Sequence, residues 1–193
     1  MSSHIVAVFG SSQTQPDTEE WADAIRVGRR LGRAGFGVVT GGYGGSMEAA
    51  SLGASQEGVP VVGVTAPALF PGRVEANPYV TDLIEAPSLT ARIGEMMSVA
   101  KGAIALPGSI GTATELLITW NANHIVRRNG GVRFPTAAVG EEWRRVGQAL
   151  AREIGAVTDD VMWADKVDEA VDWLVGELET PIREVHRPNL RPR

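Results

Sequence analysis

The loop at residues 107–115 has the residue types to bind an anion and to act on it. It reads Pro-Gly-Ser-Ile-Gly-Thr-Ala-Thr-Glu, follows an apolar run at 102–106 and begins a helix-like run ending at Ile125. Such a turn leaves backbone N–H groups free at the helix N-terminus, where the helix dipole favours an anion. Thr112 adds a hydroxyl donor, and Glu115 follows within the first turns of the helix. The pattern predicts chemistry on a phosphorylated small molecule; the alternative is a tight turn followed by an exposed glutamate.

Two further glycine-rich turns follow the first two predicted strands, Gly10-Ser11-Ser12 after the first and Gly41-Gly42-Tyr43-Gly44-Gly45 after the second. Ligands of open parallel sheets bind at the carboxyl ends of the strands, so the three turns belong on one rim and predict a nucleotide-sized site. Neither the dinucleotide-binding fingerprint nor the P-loop motif occurs in the sequence. The predicted substrate-binding residues of the three turns are Gly10, Ser11, Gly41, Gly42, Gly44, Gly108, Ser109, Ile110, Gly111 and Thr112.

Arg92 is the second residue with a predicted chemical role. It lies in a helix-like run whose apolar stripe consists of Leu89, Ile93, Met96, Met97 and Ala100. At the edge of this stripe Arg92 is predicted to lean toward the sheet rim, where a guanidinium can hold phosphate or ribose hydroxyls through paired hydrogen bonds. The alternative is an arginine whose stem packs against the protein and whose head reaches solvent.

The rest of the chain predicts the scaffold for these residues. Short apolar runs alternate with longer amphipathic ones, which is typical of a mostly parallel sheet covered by helices on both faces. The predicted strands are Ile5–Phe9, 36–40, 59–64, 80–85, 102–106 and Thr136–Val139, and the predicted helices are 17–34, 46–57, 88–100, 112–125, 143–154 and 165–178. We therefore expect a three-layer α/β/α, Rossmann-like fold in a single nucleotide-binding domain over residues 1–180.

Two segments stand apart from this alternation. Residues 65–79 contain three prolines and predict an irregular flap over the site. Residues 181–193 form a tail with four arginines and three prolines, for which an arm that contacts a partner subunit or an anion and a solvated end are both open.

Composition excludes several classes of function. The net charge of -5 gives no basic signal for nucleic acid, and the absence of cysteine excludes thiolate catalysis and Cys-based zinc sites. His4, His124 and His186 lack the spacing of a metal site, so no metal is predicted. We expect no membrane span and no secretion signal, and hence a cytoplasmic protein.

Two linked motifs give the chain a family resemblance. Residues 107–115 resemble the P-G-G-x-G-T-x-x-E motif of the Lonely Guy family, and Arg92-Ile93-Gly94-Glu95-Met96 resembles its R-K-x-E-M segment. The resemblance covers about residues 5–128 and implies a Rossmann-like homodimer without a cofactor. The implied activity is hydrolysis of the N-glycosidic bond of a purine nucleoside 5′-monophosphate, a cytokinin riboside monophosphate or AMP. It also implies catalytic roles for Glu115 and Arg92, and places Met96 among the substrate-binding residues.

The chain departs from the family pattern at several positions. Ser109 replaces the second glycine of the motif, Ile93 replaces the usual lysine, and the second turn reads Gly-Gly-Tyr-Gly-Gly-Ser-Met-Glu. These departures keep a second hypothesis open, a non-catalytic carrier or sensor of nucleotide or molybdenum-cofactor type. A third hypothesis, DNA processing on a related fold, is disfavoured by the acidic net charge.

Overall fold

In the part of the chain that the structure describes, seven strands form one parallel sheet in the order β4-β3-β2-β1-β5-β6-β7. The computed structural model describes residues 4–70, 72 and 75–179, so the predicted tail at 181–193 lies outside the described residues. The strands are β1 (Ile5–Phe9), β2 (Gly37–Thr40), β3 (Val61–Thr65), β4 (Asp82–Glu85), β5 (Ala100–Ala105), β6 (Thr136–Val139) and β7 (Met162–Ala164). The predicted Rossmann-like α/β/α architecture is confirmed.

Helices cover both faces of this sheet. They are α1 (Glu19–Arg33), α2 (Ser46–Ser55), α3 (Leu89–Val99), α4 (Ile110–Asn129), α5 (Glu141–Ile154) and α6 (Val167–Glu179). Apolar side chains of α1, α2 and α6 pack on one face, and those of α3, α4 and α5 pack on the other. Because β1 and β5 lie between these layers, their side chains are almost all buried, which explains their continuous apolar runs.

Side-chain caps account for the starts of two helices. The hydroxyl of Ser88 accepts a hydrogen bond from the Ala91 N–H at 3.1 Å, which makes Ser88 the N-cap of α3. Thr18 caps α1 in the same way, so that helix begins two residues later than predicted. Helix α4 is longer than predicted at both ends. None of the described helices has the length and apolar character needed to cross a bilayer.

The prediction missed strand β7 and the 3₁₀ turn Thr158–Asp160 before it. Strand β7 has three residues at the edge of the described sheet and pairs with β6, for example Ala138 with Trp163. A run this short contains too few residues to show a hydrophobic period. Its position depends instead on pairing with β6 and on contacts with α6, and Trp163 also meets Trp120 of α4 edge-on.

Candidate functional site

The turns after β1, β2 and β5 meet at the carboxyl end of the sheet. The Ser46 N–H donates to the Ser11 carbonyl at 2.8 Å, and the Leu106 N–H donates to the Phe9 carbonyl at 2.9 Å. Gly45 has a φ of +71°, and a Cβ there would overlap the Ser11 carbonyl oxygen. Glycine at this position therefore allows the first two turns to approach each other closely.

A cleft of about 260 Å³ lies between these turns and helix α3. Its lining includes predicted site residues from all four elements, namely Gly10, Gly41, Arg92, Ser109, Gly111, Thr112 and Glu115. Other predicted residues stand around it. Ser11 and Gly42 shape the backbone of their turns, Gly44 lines a neighbouring cavity, and Gly108 and Ile110 are exposed beside the α4 N-terminus.

Met96 is the predicted binding residue that the structure places elsewhere. Its side chain is 1% exposed and packs in the core between α3 and the sheet, and it does not line the cleft. Met47, from the first turn of α2, is the methionine that does line it. The apolar stripe of α3 faces the sheet, so a stripe residue one turn beyond Arg92 is directed into the core.

The N-terminus of α4 opens directly onto the cleft. Ser109 is the N-cap residue, but its side chain makes no capping hydrogen bond, so the first-turn N–H groups of α4 have no side-chain acceptor at the cap. A Cβ on Gly108 would overlap the hydroxyl of Thr112, so glycine lets that hydroxyl lie beneath the loop. Buried Thr112 and these N–H groups are the donors that an anion requires.

Arg92 extends from α3 into the floor of the cleft. Its side chain is buried, and its Nε donates to the Val64 carbonyl of β3 at 2.7 Å. The guanidinium lies 5.7 Å from the ring centroid of Tyr43, and a Cβ on Gly41 would overlap its Nη2 atom. Gly41 therefore makes room for the guanidinium. The prediction that Arg92 leans toward the sheet rim is confirmed, and its head does not extend into solvent.

Glu115 faces the same point from α4. Its side chain is buried, and its Oε1 atom lies 3.6 Å from Arg92 Nη1. Burial raises the pKa of Glu115 to about 7, although the positive charge of Arg92 opposes this shift. The exposed-glutamate alternative is therefore wrong. A carboxylate that exchanges its proton near neutral pH, with a guanidinium beside it, is a common arrangement in catalytic sites.

The sequence prediction missed the aromatic end of the cleft. Tyr43 is almost fully buried, its hydroxyl accepts a hydrogen bond from the Ala66 N–H at 2.9 Å, and the ring of Phe70 meets it edge-on. Asn77 donates to the carbonyls of both Gly42 and Tyr43. Phe70 and Asn77 belong to the predicted flap, of which residues 71, 73 and 74 lie outside the described residues. A tyrosine inside a glycine-rich turn was the available signal.

Comparisons with known proteins agree with this fold. The chain is 35% identical over 105 residues to a pyrimidine/purine nucleotide 5′-monophosphate nucleosidase of Escherichia coli K12, covering 51% of this chain and 23% of that protein. It therefore spans about a quarter of the length of that curated relative.

Two solved structures share the fold at low sequence identity. The molybdenum cofactor binding protein of Rippkaea orientalis superimposes with a TM-score of 0.71 at 20% identity, covering 92% of this chain and 98% of that one. The molybdenum cofactor carrier protein of Chlamydomonas reinhardtii superimposes with a TM-score of 0.70 at 21% identity, covering 92% of this chain and 99% of that one.

A family model described as the SLOG cluster4 family matches residues 3–138, which is more than half of the chain. This range contains all three turns, Arg92 and Glu115, the residues on which the resemblance to the Lonely Guy family was based. The chain belongs to the SLOG cluster4 family, and the family resemblance of its motifs is confirmed.

Proposed function

We propose that this protein hydrolyses the N-glycosidic bond of a purine nucleoside 5′-monophosphate, AMP or a cytokinin-type nucleotide, and releases the free base and ribose 5-phosphate. The observation that carries the proposal is the buried Arg92–Glu115 pair, 3.6 Å apart, in a cleft that opens at the N-terminus of α4. The name of the Escherichia coli relative, a nucleotide 5′-monophosphate nucleosidase, supports the same reaction.

The 5′-phosphate is assigned to the start of α4. The N–H groups of the first turn and the Thr112 hydroxyl supply hydrogen-bond donors, and the helix dipole adds a favourable field. Glu115 lies further along the same helix, so a phosphate held here would bring the ribose close to the carboxylate. Soaking or co-crystallisation with AMP tests this placement, and phosphate density away from residues 108–112 would contradict it.

Cleavage of the glycosidic bond produces positive charge at the ribose C1′ and O4′ atoms. The ionised carboxylate of Glu115 is assigned to stabilise this charge and to direct a water molecule to C1′. The C1′–N bond breaks, the water oxygen bonds to C1′, and a proton from that water finally goes to the departing base. Arg92 holds Glu115 and the ribose hydroxyls in position. Since the pKa of Glu115 is about 7, kcat/KM should rise with pH through that value.

The decisive experiment incubates the purified protein with AMP and separates the products by chromatography. Adenine and ribose 5-phosphate in equal amounts support the proposal. AMP binding without release of adenine would instead support a carrier or sensor, the second hypothesis from the sequence. Glu115→Gln serves as the matched inactive variant, because it preserves the shape of the side chain and removes its charge.

We also propose a homodimer that forms through the face of α3 and α4. Leu89, Leu117 and Ile118 are large apolar side chains of these helices that remain exposed on the described surface. A twofold dimer that buries more than about 1,000 Å² would cover them. Light scattering at micromolar concentration should give twice the mass of one chain, and the mass of one chain would contradict the proposal.

A further inference from the structure

A second cavity, of about 320 Å³, adjoins the cleft and shares Ser12 and Tyr43 with it. We call it the Glu48 pocket, because Glu48 from the first turn of α2 lies in its wall. Tyr43 is held firmly between the two cavities by hydrogen bonds from Ala66 and Asn77. A ligand that extends past Tyr43 from the cleft therefore enters this pocket along a wall that is held in place.

Glu48 is placed to receive such a ligand. Its side chain is half-buried, and its Oε2 atom lies 3.6 Å from the point that a Cβ on Gly44 would occupy. The carboxylate is thus folded back against the second turn instead of extending into solvent. Among the described residues, Glu48 has neither a hydrogen bond nor an ion pair from another side chain. Its acceptor oxygens are available to a donor inside the pocket.

The distribution of charge sets the direction in which a nucleotide can lie. The described lining of the Glu48 pocket carries two carboxylates, Glu48 and Glu75, and no positively charged side chain. The opposite end of the cleft has the N-terminus of α4, and Arg92 lies on the floor between the two ends, beside Tyr43. On the charges of the described residues, a phosphate is repelled from the first end and attracted to the second, which would direct the base toward the Glu48 pocket.

We propose that Glu48 accepts a hydrogen bond from the exocyclic amino group of the base and makes the site selective for amino-substituted bases. The inference rests on the proposed function, since that function places the phosphate and ribose. A carboxylate only accepts hydrogen bonds, so it favours a ligand with an amino N–H over one without. A half-buried charged hydrogen bond is worth roughly 10-fold or more in affinity.

The test compares two nucleotides that differ only at this group, AMP and purine riboside 5′-monophosphate, which has hydrogen in place of the 6-amino group. Affinities are measured by calorimetry on the full chain carrying Glu115→Gln, so that neither nucleotide is consumed. We expect AMP to bind about 10-fold more tightly. Adding Glu48→Gln, which keeps an uncharged acceptor, should reduce this ratio, and adding Glu48→Ala should bring it close to one.

The control is Glu153→Gln in the same background, a surface change at the end of α5 that should leave the ratio unaltered. Glu48 also lies in the first turn of α2, where its charge favours the helix, but loss of that effect weakens both nucleotides alike. Equal affinities before Glu48 is changed, a ratio that survives Glu48→Ala, or binding of neither nucleotide would overturn the inference. Failure of the wild-type protein to release adenine from AMP would count against the proposed function and leave this measurement of recognition intact.

Discussion

Helix α4 has a buried carboxylate near each of its ends, and the two carboxylates differ in the number of basic side chains around them. Near its N-terminus Glu115 forms an ion pair with Arg92, with 3.6 Å between Glu115 Oε1 and Arg92 Nη1. Near its C-terminus the helix contributes His124 and Arg127 to a cluster around Asp160, whose side chain has no solvent exposure. Arg127 Nε is 3.0 Å from Asp160 Oδ1, although its N–H is aligned with Oδ2, and Arg133 is a third basic neighbour at 3.7 Å.

The contacts of Asp160 are those of a carboxylate that stabilises the fold, whereas those of Glu115 are suited to chemistry. The backbone around Asp160 is fastened to α4, since Asn123 donates to the Asp160 carbonyl and Trp120 donates to the Val157 carbonyl. Two neighbouring arginines and fixed backbone contacts hold Asp160 in place. Glu115 has less positive charge beside it to offset its burial, so its pKa is raised. Keeping its ionised form in the cleft therefore lowers the stability of the fold.

The largest expected effect is on turnover. Glu115→Gln should reduce the rate of adenine release from AMP by about 10²-fold or more, because it removes the charge that we propose stabilises the developing cation. Nucleotide affinity should change little, since the phosphate is assigned to the start of α4. Steady-state kinetics and calorimetry on the same preparation measure both quantities. Equal turnover by the variant would refute the catalytic role of Glu115.

The next effect is on the pH dependence of stability. The folded pKa of Glu115, about 7, lies above its ordinary value of 4.5, so its protonated form stabilises the fold at low pH. This contribution is complete below about pH 4.5 and is lost as the pH rises through about 7, up to about 3 kcal/mol in all.

Urea unfolding of the wild type and of Glu115→Gln between pH 5 and 8 measures that loss. As the pH rises, the free energy of unfolding of the wild type should fall relative to that of the variant. Glu153→Gln, a change to an exposed carboxylate, should run parallel to the wild type across the range. Parallel curves for Glu115→Gln as well would show that the pKa of Glu115 is not raised.

Much of the scaffold was predictable because its signals are local. Apolar runs and glycine-rich turns predicted the central strands and the single rim, and the apolar stripe of α3 predicted the direction of Arg92. The burial of Glu115 was not predictable in the same way. Residues of one turn face different directions, and which of them points to the sheet depends on how α4 packs against β1 and β5.

What the sequence did not reveal depends on contacts between distant segments. The Asp160 cluster joins α4 to a turn more than thirty residues away in the chain, as in the Asn123 hydrogen bond to the Asp160 carbonyl. The aromatic end of the cleft likewise joins Tyr43 to Phe70 across β3. Neither pairing leaves a periodic pattern in the sequence. A single aspartate and a single tyrosine carry no sign of the neighbours that define their roles.

The smallest of the expected effects tests the other carboxylate. Asp160→Asn keeps the shape of the side chain but removes the charge that Arg127 and Arg133 surround, which should lower the free energy of unfolding by about 2 kcal/mol. This lies below the range of about 3–5 kcal/mol for breaking a fully buried pair, because both arginines are partly exposed and can regain hydration. Urea unfolding at pH 7 measures the loss. Base release per folded molecule should be unchanged, since the cluster lies at the far end of α4 from the cleft. A variant of normal stability would contradict the structural role of Asp160. A variant that folds normally but has lost turnover would contradict the separation of that role from catalysis at Glu115.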